Sequence, residues 1–92
     1  VENFERALAR TRTDPEILIL RLKWVPFMDI TGLLTLEEVI RKLQARGVMV
    51  LVSGANPRVA GKLRRAGVIR LLGEERFLPT FGAALAFVRA LR

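Results

Sequence analysis

A strand–helix–strand pattern between residues 17 and 52 constrains the fold more than any other feature of this sequence. Residues 17–22 and 48–52 are short apolar runs, which are typical of buried strands. Between these runs, apolar residues recur at three- and four-residue spacing from Leu33 to Leu43, which predicts an amphipathic helix that ends at Gly47. A strand, a crossover helix and a second strand form a βαβ unit, so we expect an α/β fold with parallel strands and a right-handed connection.

Capping residues predict where the helices begin. Asn56 followed by Pro57 is typical of an N-cap and a first helical position, and the helix that they start should end at Gly67. Thr80 is expected to cap a last helix. The helix between the two strands has three candidates for the residue at its start: Asp29, Thr31 and Thr35.

The last third of the chain is predicted to hold one more strand before the last helix. Residues 68–72 and 76–78 are both candidates for this short strand, and we favour the second. The buried face of the last helix is expected to hold the apolar residues at helical spacing, with Leu91 as a further candidate: Phe81, Leu85 and Val88.

The beginning of the chain also follows a helical pattern, over residues 1–10, but no capping residue precedes Val1. Only two or three strands are then predicted, whereas a layered α/β domain usually has roughly four or more. We therefore expect residues 1–92 to form a single domain that lacks an N-terminal strand or hairpin. Such a truncation would leave a sheet edge bare and favour dimerisation.

The composition excludes several kinds of catalytic and metal site. The sequence has no histidine, cysteine or tyrosine, which rules out Ser-His-Asp and Cys-His catalysis and zinc sites made from Cys or His. It has no Walker-type phosphate-binding motif, and Asp29 has no second carboxylate at a spacing suited to acid–base catalysis. We therefore expect neither enzymatic activity nor a metal or cofactor, with a nucleotide as the one candidate ligand.

The charge of the chain is strongly positive. Sixteen Lys and Arg against nine Asp and Glu give a net charge of +7, which is typical of a protein with an anionic neighbour. The basic residues fall mainly on helix faces predicted to be solvated, and the phenylalanines are not interleaved with arginine as in a surface that stacks single-stranded bases. We therefore expect no nucleic-acid partner, and we expect Trp24 to be an exposed aromatic residue.

Polar residues and glycines follow both predicted strands at their carboxyl ends, where open α/β sheets bind ligands. The candidate ligand- or partner-binding residues are Asp29, Ile30, Thr31 and Gly32 after the first strand, and Ser53, Gly54 and Asn56 after the second. The first helix also directs its amide groups toward this edge, so we hypothesise a shallow pocket for an anion or a nucleotide. The structural alternative is that Asp29 or Thr31 caps the first helix, that Asn56 caps the next, and that Gly54 is a turn residue.

Three stretches of the chain together resemble the STAS domain that sulfate transporters share with anti-sigma-factor antagonists. They are residues 25–36 with the motif D-I-T-G-L, residues 47–67 with the N-P pair, and residues 77–86 with the motif F-L-P-T. The chain looks most like the C-terminal cytoplasmic STAS domain of SulP-family anion transporters. This resemblance implies a mixed sheet with helices, whose first two strands precede the helix that opens this chain.

The resemblance also implies a function. It points to a non-catalytic regulatory domain on the cytoplasmic face of the inner membrane, tethered to the membrane-embedded transporter core of the same polypeptide. The implied roles are nucleotide sensing and the docking of a protein such as acyl carrier protein, an acidic partner that suits the charge of +7.

Two other interpretations remain open. In the sigma-regulating branch of the family, a serine that a partner kinase phosphorylates directly follows the aspartate, and Ile30 stands at that place here. Ile30 has no acceptor oxygen, although Thr31 follows it. A free-standing anti-sigma-factor antagonist is therefore the alternative, and a small nucleic-acid-binding or general interaction domain, supported by charge alone, is the third interpretation.

Overall fold

The order of strands and helices follows the predicted pattern in the structure, a computed structural model that describes residues 16–91. The helix expected over residues 1–10 lies outside the described residues. The strands are β1 (Ile17–Arg21), β2 (Met49–Ser53) and β3 (Phe77–Leu78), and the helices are α1 (Ile30–Ala45), α2 (Pro57–Arg65), α3 (Val68–Leu72) and α4 (Phe81–Ala90). A short 3₁₀ turn at Glu74–Arg76 leads into β3.

The three described strands form one parallel sheet in the order β1-β2-β3. β1 pairs with β2 along its full length, and the last pair in this register is Arg21 opposite Ser53. β3 lies on the other side of β2, with Val52 opposite Phe77. The expected parallel pairing of the first two strands is therefore confirmed, and β2 is the central strand of the described sheet.

Alternate residues of each strand face opposite sides of the sheet and meet different helices. The even-numbered residues belong to the main hydrophobic core with α1, α2 and α3: Leu18, Leu20, Val50 and Val52. The odd-numbered residues of β1 face α4, where Ile17 and Ile19 line a cleft together with Leu85 and Val88. Helices therefore cover both faces of the described sheet, and among the helices of residues 16–91 α4 is the one on the odd-numbered face.

α1 begins after Asp29, which caps it. The backbone N–H of Gly32 donates a 2.8 Å hydrogen bond to Oδ1 of Asp29, which satisfies an amide that has no partner inside the helix. The hydroxyl of Thr35 instead donates to the carbonyl oxygen of Thr31 within the helix. Asp29 is therefore the cap among the three candidates. The buried residues of α1 are Leu36, Val39, Ile40 and Leu43, and burial of each stabilises the fold by about 1.5–3 kcal/mol.

α2 begins as predicted at Asn56 and Pro57. Oδ1 of Asn56 accepts a 2.8 Å hydrogen bond from the N–H of Val59, and Pro57 occupies the first helical position, where its missing N–H is not needed. Val59 and Leu63 anchor this helix in the core. Gly67 follows the helix with a φ of +80°, a left-handed conformation that favours glycine.

The two candidates for the third strand adopt different structures. Residues 68–72 form α3, because Val68, Ile69 and Leu72 reach the core together only at helical spacing. The third strand is Phe77–Leu78, within the favoured candidate segment. It is only two residues long, which explains why its apolar signal in the sequence is weak.

α4 shows one clear departure from its predicted face. Thr80 caps the helix as expected, since its Oγ1 accepts a 3.0 Å hydrogen bond from the N–H of Ala83. The fully buried residue of α4 is Ala84, whereas Leu91 is exposed and the three predicted apolar residues are half-buried: Phe81, Leu85 and Val88. The small side chain of Ala84 lets the helix approach the sheet closely, so the larger neighbours lie beside the contact.

Candidate functional site

The carboxyl ends of the three strands meet at one edge of the sheet, where the candidate residues lie. The N–H of Leu22 donates a 2.8 Å hydrogen bond to the carbonyl oxygen of Ser53, which joins the end of β1 to the end of β2. The N–H of Gly54 donates a 3.2 Å hydrogen bond to the carbonyl oxygen of Leu78, which joins β2 to β3. The loops that follow the strands therefore start from fixed positions.

Asn56 connects the loop after β2 with the loop after β1. Its Oδ1 caps α2, and its Nδ2 lies 3.2 Å from the carbonyl oxygen of Val25 and 3.1 Å from that of Pro26. Both oxygens accept from the same amide nitrogen. One side chain therefore starts a helix and holds a loop 30 residues away in sequence, which uses all of its polar atoms structurally.

Lys62 holds the same loop at a second point. Its Nζ donates a 2.7 Å hydrogen bond to the carbonyl oxygen of Met28, one residue before the cap of α1. The side chain of Met28 is buried in the core, so this part of the loop is fixed from both sides. The β1–α1 loop is therefore an ordered surface that is attached to α2.

The residues predicted after β1 divide between a cleft and the exposed surface. Asp29 and Gly32 line a cleft of about 250 Å³, here called the Asp29 cleft, whose other walls are mainly apolar: Leu22, Val25, Phe27, Met28 and Leu36. Ile30 and Thr31 are exposed in the first turn of α1. The lining of the Asp29 cleft contains a carboxylate and no basic side chain.

The residues predicted after β2 lie at a different cleft. Ser53 and Gly54 line a cleft of about 230 Å³, here called the Ser53 cleft, together with Arg21, Lys23, Pro79, Thr80 and Phe81. Asn56 lines neither of these two clefts. The structure therefore separates the predicted residues into two neighbouring sites, and ligand binding by either group stays a prediction.

Gly54 permits a close approach between the two strand ends. Its φ is +79°, and a Cβ atom at this position would lie 3.3 Å from the backbone nitrogen of Lys23. A side chain would therefore meet both backbone strain and the neighbouring chain. Gly54 lies in the loop after β2 in a left-handed conformation that favours glycine, and its position also shapes the wall of the Ser53 cleft.

Four large apolar side chains are exposed around the β1–α1 loop and the start of α1. Their exposed fractions are 78% for Trp24, 64% for Phe27, 72% for Ile30 and 57% for Leu34. We call these four residues the apolar surface. The exposure of Trp24 was expected, whereas Phe27 and Leu34 were not among the predicted functional residues. Ile30 and Leu34 are four residues apart on α1 and therefore share one side of the helix.

The basic residues fall into two electrostatic groups. On the helices, Arg41 pairs with Glu37 and Lys42 pairs with Glu38 at 2.9 and 3.0 Å, in exposed pairs typical of a solvated face. At the Ser53 cleft, the guanidinium of Arg21 lies 4.2 Å from the centre of the Phe81 ring, and Nζ of Lys23 lies 5.0 Å from the Trp24 ring. Neither Arg21 nor Lys23 forms an ion pair with a carboxylate of residues 16–91.

The basic and aromatic residues of the Ser53 cleft were not among the binding residues predicted from the sequence. Arg21 is the last residue of β1, and it is adjacent to Ser53 because these two residues are opposite each other in the register. Odd-numbered residues of β1 face α4, so strand alternation was the signal for Arg21, whereas Lys23 lies in the turn after the strand. That signal is visible in the sequence only after the register and the position of α4 are known.

The described part of the chain offers few alternatives to these sites. In residues 16–91, no cluster of three or more acidic side chains could hold a metal ion. Every helix in the same range is too short or too polar to cross a bilayer.

Comparison with known proteins identifies a family. The family model described as "STAS domain" matches residues 1–84. The STAS domain of a SulP transporter from Vibrio cholerae is 52% identical, with a TM-score of 0.92, and the match covers 98% of this chain and 70% of that one. A sulfate transporter family protein from Wolinella succinogenes is 36% identical, with a TM-score of 0.89, over 98% of this chain and 74% of that one.

A curated relative is much longer than this chain. High affinity sulfate transporter 1 of Stylosanthes hamata is 34% identical over 80 residues, which are 84% of this chain and 12% of the relative. The matched region is thus a small part of that transporter. The match of a family model to most of the chain, together with the solved domain that is 52% identical, shows that this chain belongs to the STAS domain family.

Proposed function

We propose that this chain is a non-catalytic regulatory and interaction domain of a sulfate-permease-type anion transporter. It would be tethered to the membrane-embedded core of the same polypeptide, on the cytoplasmic face of the inner membrane. The similarity to a SulP transporter STAS domain at 52% identity supports this proposal, as does the similarity to part of a much longer sulfate transporter.

The apolar surface is the observation that carries the interaction role. Exposed apolar side chains that cluster on an ordered surface are typical of protein–protein contacts, because their burial in a complex is favourable. Trp24 and Phe27 are also of the aromatic type that is enriched at such contacts. Asn56 and Lys62 hold the loop in place before any partner binds, so little conformational entropy would be lost on association.

The charge of the domain indicates the chemistry of the partner. The net charge is +7, and Lys23 lies against Trp24 at the margin of the apolar surface. A partner with an acidic rim around an apolar contact would complement this arrangement. We therefore propose an acidic protein such as acyl carrier protein as the docking partner.

A non-catalytic role agrees with the use of the polar residues at the strand ends. The carboxylate of Asp29 accepts a hydrogen bond from the N–H of Gly32, and the amide of Asn56 is used for capping and for loop attachment. These residues therefore have structural tasks. The Asp29 cleft also carries negative charge and an apolar lining, which disfavours the phosphate groups of a nucleotide at that end of the predicted pocket.

The exposure of Thr31 makes the alternative function, an anti-sigma-factor antagonist, testable. Thr31 is exposed in the first turn of α1, so its hydroxyl is accessible, whereas Ile30 beside it has none to offer. A free-standing anti-sigma-factor antagonist would need a phosphate acceptor at this place. Incubation with candidate partner kinases and ATP, followed by mass spectrometry, would support that alternative if it found phosphate on Thr31.

The docking proposal is tested by binding measurements with purified acyl carrier protein. We expect the double substitution Ile30→Ser and Leu34→Ser to weaken binding by about tenfold or more, since about 1.4 kcal/mol corresponds to a factor of ten. Leu91→Ser is the matched control, because Leu91 is also an exposed leucine but lies at the other end of α4 from the strand ends. Equal loss in both variants, or no binding by the unmodified chain, would contradict the proposed partner.

A further inference from the structure

The Ser53 cleft brings together two positive charges that have no carboxylate partner within residues 16–91. Arg21 lies opposite Ser53 in the strand register, and Lys23 lies in the turn that follows β1. The lining of the cleft includes no acidic residue. A cleft with this lining has a positive potential that favours an anion.

Ser53 adds a buried hydroxyl to this positive lining. Its exposed fraction is 1%, and it lines the cleft beside Arg21 and Gly54. A serine hydroxyl can donate one hydrogen bond to an acceptor such as an anion oxygen. Because Ser53 lines the cleft, its hydroxyl is placed to donate to an anion bound there.

The N-terminus of α4 completes the lining. Thr80 caps the N–H of Ala83, but the N–H groups of Phe81 and Gly82 precede the first position that can bond within the helix. The first turn of α4 contains no acidic side chain, so the positive end of the helix dipole is not compensated there. The N-terminus of α1 differs, because the carboxylate of Asp29 lies on it.

We propose that the Ser53 cleft binds a doubly charged oxyanion of the size of sulfate or phosphate. Arg21 and Lys23 supply the charge, Ser53 and the first amides of α4 supply hydrogen-bond donors, and Gly54 keeps the wall open. The volume of about 230 Å³ accommodates such an ion with part of its hydration shell. One face of the Phe81 ring is covered by Arg21, which disfavours stacking of a nucleobase and therefore favours a free oxyanion over a nucleotide.

This site is distinct from the docking surface. The oxyanion proposal rests on the lining of the Ser53 cleft, and the docking proposal rests on the four residues of the apolar surface with Lys23 at its margin. Lys23 is the link between the two sites, because its ammonium group lies 5.0 Å from the ring of Trp24. Oxyanion binding that moves the ammonium group of Lys23 away from this ring would change the surroundings of Trp24, which is the single tryptophan of the chain.

The test is a titration of the 92-residue chain with sodium sulfate, with sodium chloride at matched ionic strength as the reference. Amide NMR shifts and Trp24 fluorescence are the two readouts. We expect saturable shifts at Gly54, Phe81 and Gly82 with sulfate, and small linear shifts with chloride. Shifts that depend only on ionic strength, or that centre on Gly32 in the Asp29 cleft, would overturn the proposal.

Charge variants test the lining itself. We expect Arg21→Gln combined with Lys23→Gln to weaken sulfate binding by about tenfold or more, since removing two charges from such a lining should cost at least about 1.4 kcal/mol of binding free energy. Ser53→Ala should weaken binding by a smaller factor with no change in fold. Arg70→Gln is the control, because Arg70 is an exposed arginine on α3 that does not line the cleft. Equal affinity in all variants would contradict the site.

Parallel titrations with inorganic phosphate and with ATP distinguish the sources of the oxyanion. Phosphate and sulfate that bind with similar affinity, and ATP that binds no more tightly, would support a free oxyanion. If ATP bound tenfold more tightly than sulfate and shifted the same amides, the proposal of a free oxyanion would be overturned. The ligand of the cleft would then be the phosphate group of a nucleotide. Failure of every anion would leave the docking proposal standing, since that proposal uses none of these measurements.

Discussion

The ammonium group of Lys62 lies 2.7 Å from the carbonyl oxygen of Met28, so a side chain of α2 holds the loop that leads into α1. Two residues later in the chain, the apolar surface continues at Ile30. The contact therefore attaches the surface proposed for docking to the packed helix α2. It keeps exposed apolar side chains in a fixed arrangement, although no segment among the described residues covers them.

Loss of the Lys62 contact should loosen this loop. We expect Lys62→Met, which keeps most of the alkyl chain, to lower the free energy of unfolding by about 1 kcal/mol, because a charged donor is removed from a partly buried hydrogen bond. Urea denaturation measures the stability, and amide hydrogen exchange measures the loop. Arg70→Met is the control on an exposed helix position, and equal effects of both substitutions would contradict a specific role for Lys62.

The two roles of Asn56 can be separated by two substitutions. Asn56→Ala removes both the cap of α2 and the bonds to Val25 and Pro26, so we expect a loss of about 1–3 kcal/mol in unfolding free energy. Asn56→Asp keeps an oxygen for the N–H of Val59 but has no amide to donate to the loop. We expect its loss to be smaller, with faster hydrogen exchange confined to the loop.

Urea denaturation of both Asn56 variants, with exchange measured on the folded protein, checks this prediction. If the loop amides of Asn56→Asp exchanged their hydrogens as slowly as those of the unmodified chain, the two bonds to the loop carbonyls would contribute nothing.

The helix caps were predictable because their signals are local. Asp29, Asn56 and Thr80 are caps that hydrogen-bond to an amide three residues later, so a short sequence window contains the whole interaction. The exact strand among the last candidates was harder to predict. Residues 68–72 could form a strand or a helix on the basis of their apolar residues alone. They form a helix because that conformation places Val68, Ile69 and Leu72 together in the core.

The division of the candidate site into two clefts could not be predicted from local patterns. It depends on the register that sets Arg21 opposite Ser53 and on the position of α4 over the odd-numbered residues. The apolar surface was predicted only in part, since Trp24 and Ile30 were named from the sequence and Phe27 and Leu34 were not. Periodicity treats every apolar residue as a core candidate, and only the packed structure shows that Ile30 and Leu34 lie beside the buried face of α1.

Two glycine substitutions isolate the close approach at the strand ends. Gly47 and Gly54 have φ values of +80° and +79°, but a Cβ on Gly47 would meet nothing within 4 Å. We expect Gly47→Ala to cost about 1 kcal/mol from backbone strain alone. Gly54→Ala should cost more, because its Cβ would lie 3.3 Å from the backbone nitrogen of Lys23.

Thermal or urea unfolding of the two alanine variants gives the difference directly. Equal costs would indicate that the neighbouring backbone moves aside without penalty, and would remove the steric argument for glycine at position 54.

The apolar surface should matter for transport without contributing to the stability of the domain. In the full-length protein, we expect Phe27→Ser combined with Ile30→Ser to change the rate of anion uptake while leaving the amount of protein in the membrane unchanged. Both side chains are mostly exposed, so their loss removes little core packing. Leu91→Ser serves as the control for a change at another exposed apolar position, and uptake that is unchanged in the double variant would argue against a regulatory surface.

The central claim is that this chain is a domain of a membrane transporter. It is tested most directly by fractionating cells that express the native full-length gene product, with an antibody raised against the domain. We predict recovery in the carbonate-washed membrane pellet, at a mass several-fold above that of the 92-residue chain. A band in the soluble fraction at the mass of the domain alone would contradict the claim and would make the free-standing antagonist the leading interpretation.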